Sequence, residues 1–373
     1  MRARFWLGLL VTLALLAAIG IALWFTVTLG ESFGQFPQQG IFVEIPRGVS
    51  LHEIARRLAD AGVVRDPWAF EMLARWRGRP LLAGEYRFQR ARTSYEVYDI
   101  LVNGRIYLQS LVIPEGKTMF EIAALVAQGH FGTEEQFLEA ARDPALLPRF
   151  DKPATGSLEG FLFPATYQFP RRTSPREIAA AMLRRFNEEW KKQRGRDLRE
   201  KLSVPELVTL ASLVERETRV ADERPLVAAV FYNRLRRGMA LECDPTVIYA
   251  LTLAGRYRGT LYRPDMRFNS PYNTYRHRGL PPGPIANPGA ASLHAALNPA
   301  ETDYLYFVAD GQGGHVFSAT LREHINNVAH YRRLMRLSSP EPVAEPDPPK
   351  PAPKPKPAPP SKPQKRARKG GSR

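Results

Sequence analysis

Two glutamates two residues apart, Glu215 and Glu217, close an apolar helical stretch, and a carboxyl group in such a place is a candidate proton donor. Ser203, Pro205 and Glu206 read as a capping-box start for that helix. From there Leu207, Val208, Leu210, Ala211, Leu213 and Val214 run almost unbroken, so at least one glutamate is carried to the edge of a packed interior. Side chains three and four apart share a helix face: Glu217 sits above Leu213 and Val214, and Glu215 above Ala211 and Ser212, with Arg219 four residues on. Low polarity raises a carboxyl pKa and a nearby cation lowers it. Glu217 is therefore the expected acid that stays protonated near neutral pH, and Glu215 the expected partner of Arg219 in a surface ion pair. Solvation of both at the helix end is the plainer reading, and the helix alone leaves it open.

Downstream, Asp222 is expected to cap a helix over Leu226–Arg237 that carries Asn233 and Arg234, with Pro225 in its first turn. Cys243-Asp244-Pro245-Thr246, then Asn269-Ser270-Pro271-Tyr272-Asn273-Thr274-Tyr275, then Gly279-Leu280-Pro281-Pro282-Gly283-Pro284-Ile285 follow. Tyr304–Val308 and His315–Ser318 alternate around a glycine-rich turn as a β-hairpin should. Loops rich in Tyr, Asn, Thr and Pro suit a sugar groove, where aromatic faces stack on pyranose rings and amides bond to hydroxyl and N-acetyl groups. The single cysteine, Cys243, excludes an internal disulfide and a cysteine-based metal site, and the seven histidines show no metal-ligand spacing, so neither a metal nor a redox cofactor is expected.

These groups need a scaffold, and 373 residues exceed what one core usually holds. Phe5–Leu29 is a run without a charge, preceded by Arg2 and Arg4. It reads as a single membrane-spanning helix with residues 1–4 in the cytoplasm, the rest outside, and Trp24 and Phe25 near the outer interface. A cleaved signal peptide is the alternative, against which the length of the run speaks. From residue 338 to 373 the chain is dominated by Pro, Lys, Ala and Glu, and Lys350–Arg373 holds nine basic residues and no acid, the composition of a disordered tail. The net charge of +16 fits nucleic acid, anionic lipid or an anionic wall polymer alike. No nucleic-acid-binding motif is present, and an extracytoplasmic tail has no nucleic acid to meet.

Between the ends an internal echo appears. Ile45-Pro46-Arg47-Gly48-Val49-Ser50 precedes Glu53-Ile54-Ala55, and Ile113-Pro114-Glu115-Gly116-Lys117-Thr118 precedes Glu121-Ile122-Ala123. Each copy reads as strand, glycine turn, Ser or Thr cap and amphipathic helix. The first continues through a helix around Trp68–Trp76 to a strand near Gly84–Phe88, and resembles, divergently, the LysM β-α-α-β module of N-acetylglucosamine-binding proteins. A spacer that binds nothing fits that copy equally well. Gly156–Tyr167 reads as a loop packed on the core, with Glu159 among apolar residues, and Ser174 to about Arg196 as a charged amphipathic helix. The fold class expected is α+β, with a membrane-proximal LysM-like region over 30–150 and a mixed α/β catalytic domain over 151–337.

Residues from about 40 to 335, most specifically the motifs from 207 to 318, resemble the YceG-like family of endolytic murein transglycosylases. The resemblance implies a single-pass protein of the cytoplasmic (inner) membrane that cuts nascent peptidoglycan strands outside it, next to penicillin-binding synthases. It places the catalytic glutamate at Glu217, the residue the helix-face argument favours. Glu242-Cys243 departs from the uncharged polar pair common at that place. Substrate contacts are expected from Asn233, Tyr272, Asn273, Thr274 and Tyr275, each of which is equally suited to a structural hydrogen bond or packing role. Glu215, Glu223 and Asp244 are the further acidic candidates. A muramidase would use Glu223 or Asp244 as base or nucleophile beside Glu217, and a wall-binding scaffold would use none of them.

Overall fold

A computed structural model of the chain describes residues 2–143, 145–146, 156–193 and 202–338. The first helix, α1, spans Arg2–Gly30, and within it Phe5–Gly30 has a mean hydropathy of 2.5, long and apolar enough to cross a membrane. Its last two turns meet protein: Thr28 and Leu29 are buried, and Trp24 and Phe25 touch Trp68 at ring distances of 6.0 and 5.5 Å.

The echo in the sequence is two β-α-α-β units. In the first, β1 (Ile41–Ile45), α2 (Leu51–Asp60), α3 (Pro67–Arg77) and β2 (Gly84–Phe88) follow in order, and β1 pairs antiparallel with β2, Ile41 opposite Phe88. Ser50 accepts the Glu53 N–H and Asp66 the Ala69 N–H, so each helix starts at a side-chain cap. Val43 and Ile45 of β1 point into a core with Ile54, Leu58, Phe70, Tyr86 and Phe88, while Glu44 between them is exposed. Helix α4 (Ser94–Val102), begun by a Thr93–Glu96 capping box, closes this core with Val97, Tyr98 and Leu101.

The second unit is β3 (Gln109–Val112), α5 (Met119–Gln128), α6 (Glu134–Ala140) and β4 (Thr166–Phe169). β3 and β4 are antiparallel, Gln109 opposite Phe169, and Thr118 with Glu121 makes the expected capping box. Its core does not stand alone. It merges with α7 (Pro175–Gln193), α8 (Val204–Glu217), α9 (Arg224–Arg236), α10 (Asp244–Leu253) and α11 (Ala290–Leu297) into one cluster beginning at Leu111. Residue 150, the expected boundary, lies between β3 and β4, which pair with each other. On α7, Ile178, Met182, Phe186 and Trp190 form the buried stripe at helical spacing. The hairpin β5 (Tyr306–Ala309) and β6 (His315–Ser318) and the helix α12 (Leu321–Ser338) are the last elements among the described residues. The two cores meet where Arg172 pairs with Glu44 and the Arg171 guanidinium lies 4.3 Å from the centre of the Phe42 ring. The proline- and lysine-rich tail lies, from residue 339, outside the described residues.

Glu159 binds the second unit to the helices around it. Its carboxyl is fully buried and receives the Met119 N–H at the start of α5 (3.0 Å), the Tyr249 hydroxyl of α10 (3.1 Å) and the Asn287 amide (2.8 Å). Asn287, equally buried, accepts from the Gly160 and Leu162 N–H groups at 2.9 Å and donates to the Lys117 carbonyl. Gly160 has φ +87, and a side-chain carbon there would meet Pro284 at 2.4 Å, so the turn needs glycine. Burial, opposed by these hydrogen bonds, pushes the Glu159 pKa up to about 8.

The folded protein thus keeps a proton on Glu159 that the unfolded chain releases near its ordinary carboxyl value, so the stability is full below that value and is lost as pH rises toward 8. Over that window the loss is at most about 1.4 kcal/mol per pH unit. Glu159→Gln keeps the acceptor toward Met119 and Asn287 and turns the other position into a donor toward Tyr249. Thermal melts at pH 5 to 8 should show a flatter fall in Tm for Glu159→Gln than for the wild type; parallel falls would exclude a proton on Glu159.

Candidate functional site

Helix α8 begins where Ser203 donates from its N–H and hydroxyl to Glu206, and its apolar residues from Leu207 to Val214 are at most 2 % exposed. Glu217 is its last residue. Thr218 turns extended (φ −132, ψ 140), so the chain leaves the helix and Glu217 stands at the negative end of the helix dipole. It faces a cleft of about 280 Å³ whose apolar wall is Leu241, Phe307, Val308 and Ala309. Arg234, Glu242, Asp244, Tyr275, His315 and His324 line the rest.

Burial pushes the Glu217 pKa up to about 7, and the Asp244 carboxylate adds to the rise. A hydrogen bond from the Cys243 thiol, and the charges of His315 and Arg234, hold the rise in check. The Cys243 thiol is itself pushed up by burial and by Glu217, so it stays a neutral donor. Of the Glu242-Cys243 pair noted in the sequence, Glu242 lines the cleft and Cys243 lies buried beside Glu217.

Arg234, on α9, positions both sides of the cleft. Its side chain is buried, with Nε donating to the Leu305 carbonyl beside β5 (2.7 Å) and Nη1 to the carbonyls of Ala240 and Leu241 and the Glu242 carboxylate (3.0 Å each). Its plane lies over the Tyr306 ring at 5.2 Å. Glu242 sits in the left-handed region at φ +53, a costly conformation for a residue with a side chain, held by Arg234 and by its N–H on the Thr274 carbonyl. Sequence reasoning passed over Arg234 as a functional residue. The available signal was an arginine three and four residues after Phe231 and Val230, on the apolar face of its helix.

The other acidic candidates are differently placed. Glu215 is not in an ion pair with Arg219: the helix ends at Glu217, which takes Arg219 off its face. Instead the Glu215 side chain is 7 % exposed, accepts the Gly289 N–H at 2.9 Å and lies 3.7 Å from Arg224. Asp222 does not cap α9 either. It lies in a short 3-10 turn, Ala221–Glu223, and Glu223 occupies the capping position without a capping hydrogen bond. Pro225 is in the first turn as expected. Glu223 accepts the His315 N–H and meets its ring at 2.7 Å, and takes the Thr218 hydroxyl at 2.9 Å. Burial raises its pKa, but these partners outweigh burial and leave it below the ordinary carboxyl value. Asp244, in the first turn of α10, accepts the Tyr275 hydroxyl.

Of the residues expected to hold a ligand, Tyr275 lines the cleft and the others are turned onto neighbouring groups of the protein. Asn273 is fully buried; it donates to the Met266 and Phe268 carbonyls and accepts the Tyr275 N–H, which sets that residue's backbone. The Thr274 hydroxyl accepts the Cys243 N–H at 3.0 Å. Asn233 donates to the carbonyls of Thr302 and Tyr304 at 2.8 Å, and Tyr272 packs on Tyr249 at 5.0 Å. Among the described residues no group of three or more His, Cys, Asp or Glu is placed to hold a metal ion.

The pattern of the YceG-like family matches residues 43–330. A protein of Bacillus subtilis (strain 168) named endolytic murein transglycosylase is 34 % identical over 322 residues, 82 % of this chain and 89 % of the relative. One of the same name from Streptococcus pneumoniae serotype 2 is 34 % identical over 320 residues, 78 % of this chain but 58 % of the longer relative. The crystal structure of a yceG-like protein from Listeria monocytogenes superposes with a TM-score of 0.54 at 34 % identity, over 78 % of this chain and 99 % of that one. With more than half its length matched by the family pattern, and with a relative aligned over most of both chains, this chain belongs to the YceG-like family.

Proposed function

We infer that the chain is an endolytic murein transglycosylase, a lyase that cuts peptidoglycan glycan strands, with Glu217 as its acid and base. The observation that carries this is a carboxyl with a pKa near 7 facing a cleft, while Asp244 accepts the Tyr275 hydroxyl and Glu223 is saturated by His315 and Thr218. Glu242, the remaining carboxylate of the cleft, is paired with Arg234, so Glu217 is the one carboxyl available as an acid, and an intramolecular nucleophile makes a second one unnecessary.

Protonated Glu217 gives its proton to the oxygen of the β-1,4 bond between N-acetylmuramic acid and N-acetylglucosamine, and an oxocarbenium-like centre develops at C1. The Glu217 carboxylate then takes the proton of the C6 hydroxyl of the same muramic acid. That oxygen bonds to C1, which leaves a 1,6-anhydro end, restores the proton on Glu217 and consumes no water. Asp244 favours the protonated start through its charge, and the Cys243 thiol steadies the carboxylate formed midway. Tyr275, whose hydroxyl pKa is driven up by burial and Asp244, stays neutral and offers a ring face to a sugar. Asn233, Asn273 and Thr274 act through the loops they hold, and Tyr272 through its packing.

On the same reading α1 is a membrane anchor. Arg2 and Arg4 keep its start in the cytoplasm, the cleft works on the outer side, and the first β-α-α-β unit is a membrane-proximal spacer in the manner of a LysM module. Penicillin-binding synthases, which make the nascent strands, are the expected neighbours.

Digestion of purified glycan strands followed by mass analysis should give products lighter by one water than hydrolysis products. Reducing muramic acid ends would instead mark a muramidase. Glu217→Gln should keep the fold, by circular dichroism, and lose about a thousandfold or more in rate. Because the first step needs the protonated form, log kcat should fall with a slope of one per pH unit above about 7. Cys243→Ala removes a hydrogen bond that lowers the Glu217 pKa, so this limb should move to higher pH by up to about one unit; a shift to lower pH would show that the thiol does not donate to Glu217.

A further inference from the structure

Helix α3 carries an apolar stripe on its outer face. Trp68, Met72 and Trp76 are spaced by four, and are 54 %, 37 % and 79 % exposed, with Leu82 just beyond at 45 %. On the opposite face of the same helix Phe70, Leu73 and Ala74 fill the core of the first unit, of which the stripe is no part. A soluble surface does not ordinarily leave two tryptophans on one helix face in water.

The stripe starts where α1 ends. Trp68 touches Trp24 and Phe25 of α1, and Trp24 lies eighteen residues after Trp6, about 27 Å along a helix, close to the thickness of a hydrocarbon core. Trp6 and Trp24 therefore mark the two faces of the membrane α1 would cross, and Trp68 lies at the level of the outer one. Arg77 and Arg79, both exposed, stand at the end of the stripe, and the Arg77 guanidinium lies over the rings of Trp76 and Tyr95 at 5.7 Å. Aromatic rings bordered by guanidinium groups match the acyl–phosphate boundary of an anionic leaflet.

We propose that the Trp68–Met72–Trp76 face of α3 docks into the outer-leaflet interface of the membrane crossed by α1, with Arg77 and Arg79 at the lipid phosphates. This rests on the reading of α1 as an anchor. One helix alone leaves the domain free to swivel about its exit point. A second attachment holds the first unit flat on the bilayer and, through the contacts of Arg171 and Arg172 with Phe42 and Glu44, holds the cleft at a set height above it. The cut then falls at a fixed distance from the membrane.

The test is depth measurement on the full chain in phosphatidylethanolamine–phosphatidylglycerol vesicles, with spin labels at Met72→Cys, Leu15→Cys or Gln312→Cys. The wild type, whose Cys243 is buried, serves as the labelling control. Accessibility to oxygen, which concentrates in lipid, is compared with accessibility to a water-soluble nickel chelate. Docking gives a label at 72 with a several-fold higher oxygen-to-nickel ratio than at 312, and at 15 the ratio of the bilayer centre. Arg77→Glu with Arg79→Glu should lower the ratio at 72 and leave that at 15 unchanged. A label at 72 as open to nickel as that at 312, with 15 in the bilayer, overturns the docking and spares the anchor. Shielding of 72 from both reagents means that a second copy of the chain covers the face, which also overturns it. A label at 15 open to water overturns the anchor and the docking together.

Discussion

A carboxyl group that keeps its proton near neutral pH must be withheld from water and still be reachable by a substrate, and the catalytic half of the chain is built to meet those two demands at Glu217. Helix α8 supplies the first: it is buried from Leu207 to Val214 and ends at this residue, whose carboxyl lies at the negative end of the helix dipole. The cleft supplies the second: it is lined by β5 residues and by the loop of Leu241 and Glu242, which leads into the Cys243 and Asp244 that act on the same carboxyl. Burial raises its pKa; the thiol and the Arg234 and His315 side chains limit the rise, and the result lies where the group can both give and take a proton.

That balance requires walls that do not move, and the rigid part is polar. Arg234 ties the loop at 240–242 to the chain entering β5 with four hydrogen bonds and holds Glu242 in a conformation a free loop would leave. Glu223 does the same between α9 and β6 through His315. Behind them Glu159 and Asn287 join the second β-α-α-β unit to α10 and the proline-rich loop. Arg234, Glu159 and Asn287 are buried and Glu223 is half-buried, each with hydrogen bonds made, which favours one arrangement of the packed helices over its near alternatives.

The two β-α-α-β units illustrate how one local pattern serves two ends. The first closes its own core with α4 and presents a second, exposed face on α3. The second never closes alone; its strands pair across the stretch that separates them in sequence, and its helices are absorbed into the core that carries Glu217. A repeat unit can thus be a spacer or a wall of the catalytic domain, depending on which of its faces finds a partner.

The sequence by itself determined most of the elements and singled out the central glutamate as a candidate. The caps at Ser50, Thr118 and Ser203, the echo of the two units, the hairpin from Tyr306 to Ser318 and the apolar length of α1 are all legible because they depend on residues a few positions apart. Tertiary structure alone decided the neighbours. Asn287 meets Gly160 across 127 positions and His315 meets Glu223 across 92, and Glu215 answers Gly289 where the helix-face pattern pointed to Arg219. Asn233, Asn273 and Thr274 are turned onto main-chain groups for the same reason: a polar side chain goes to whatever unsatisfied donor or acceptor the packed chain brings beside it, and spacing along the sequence does not encode that.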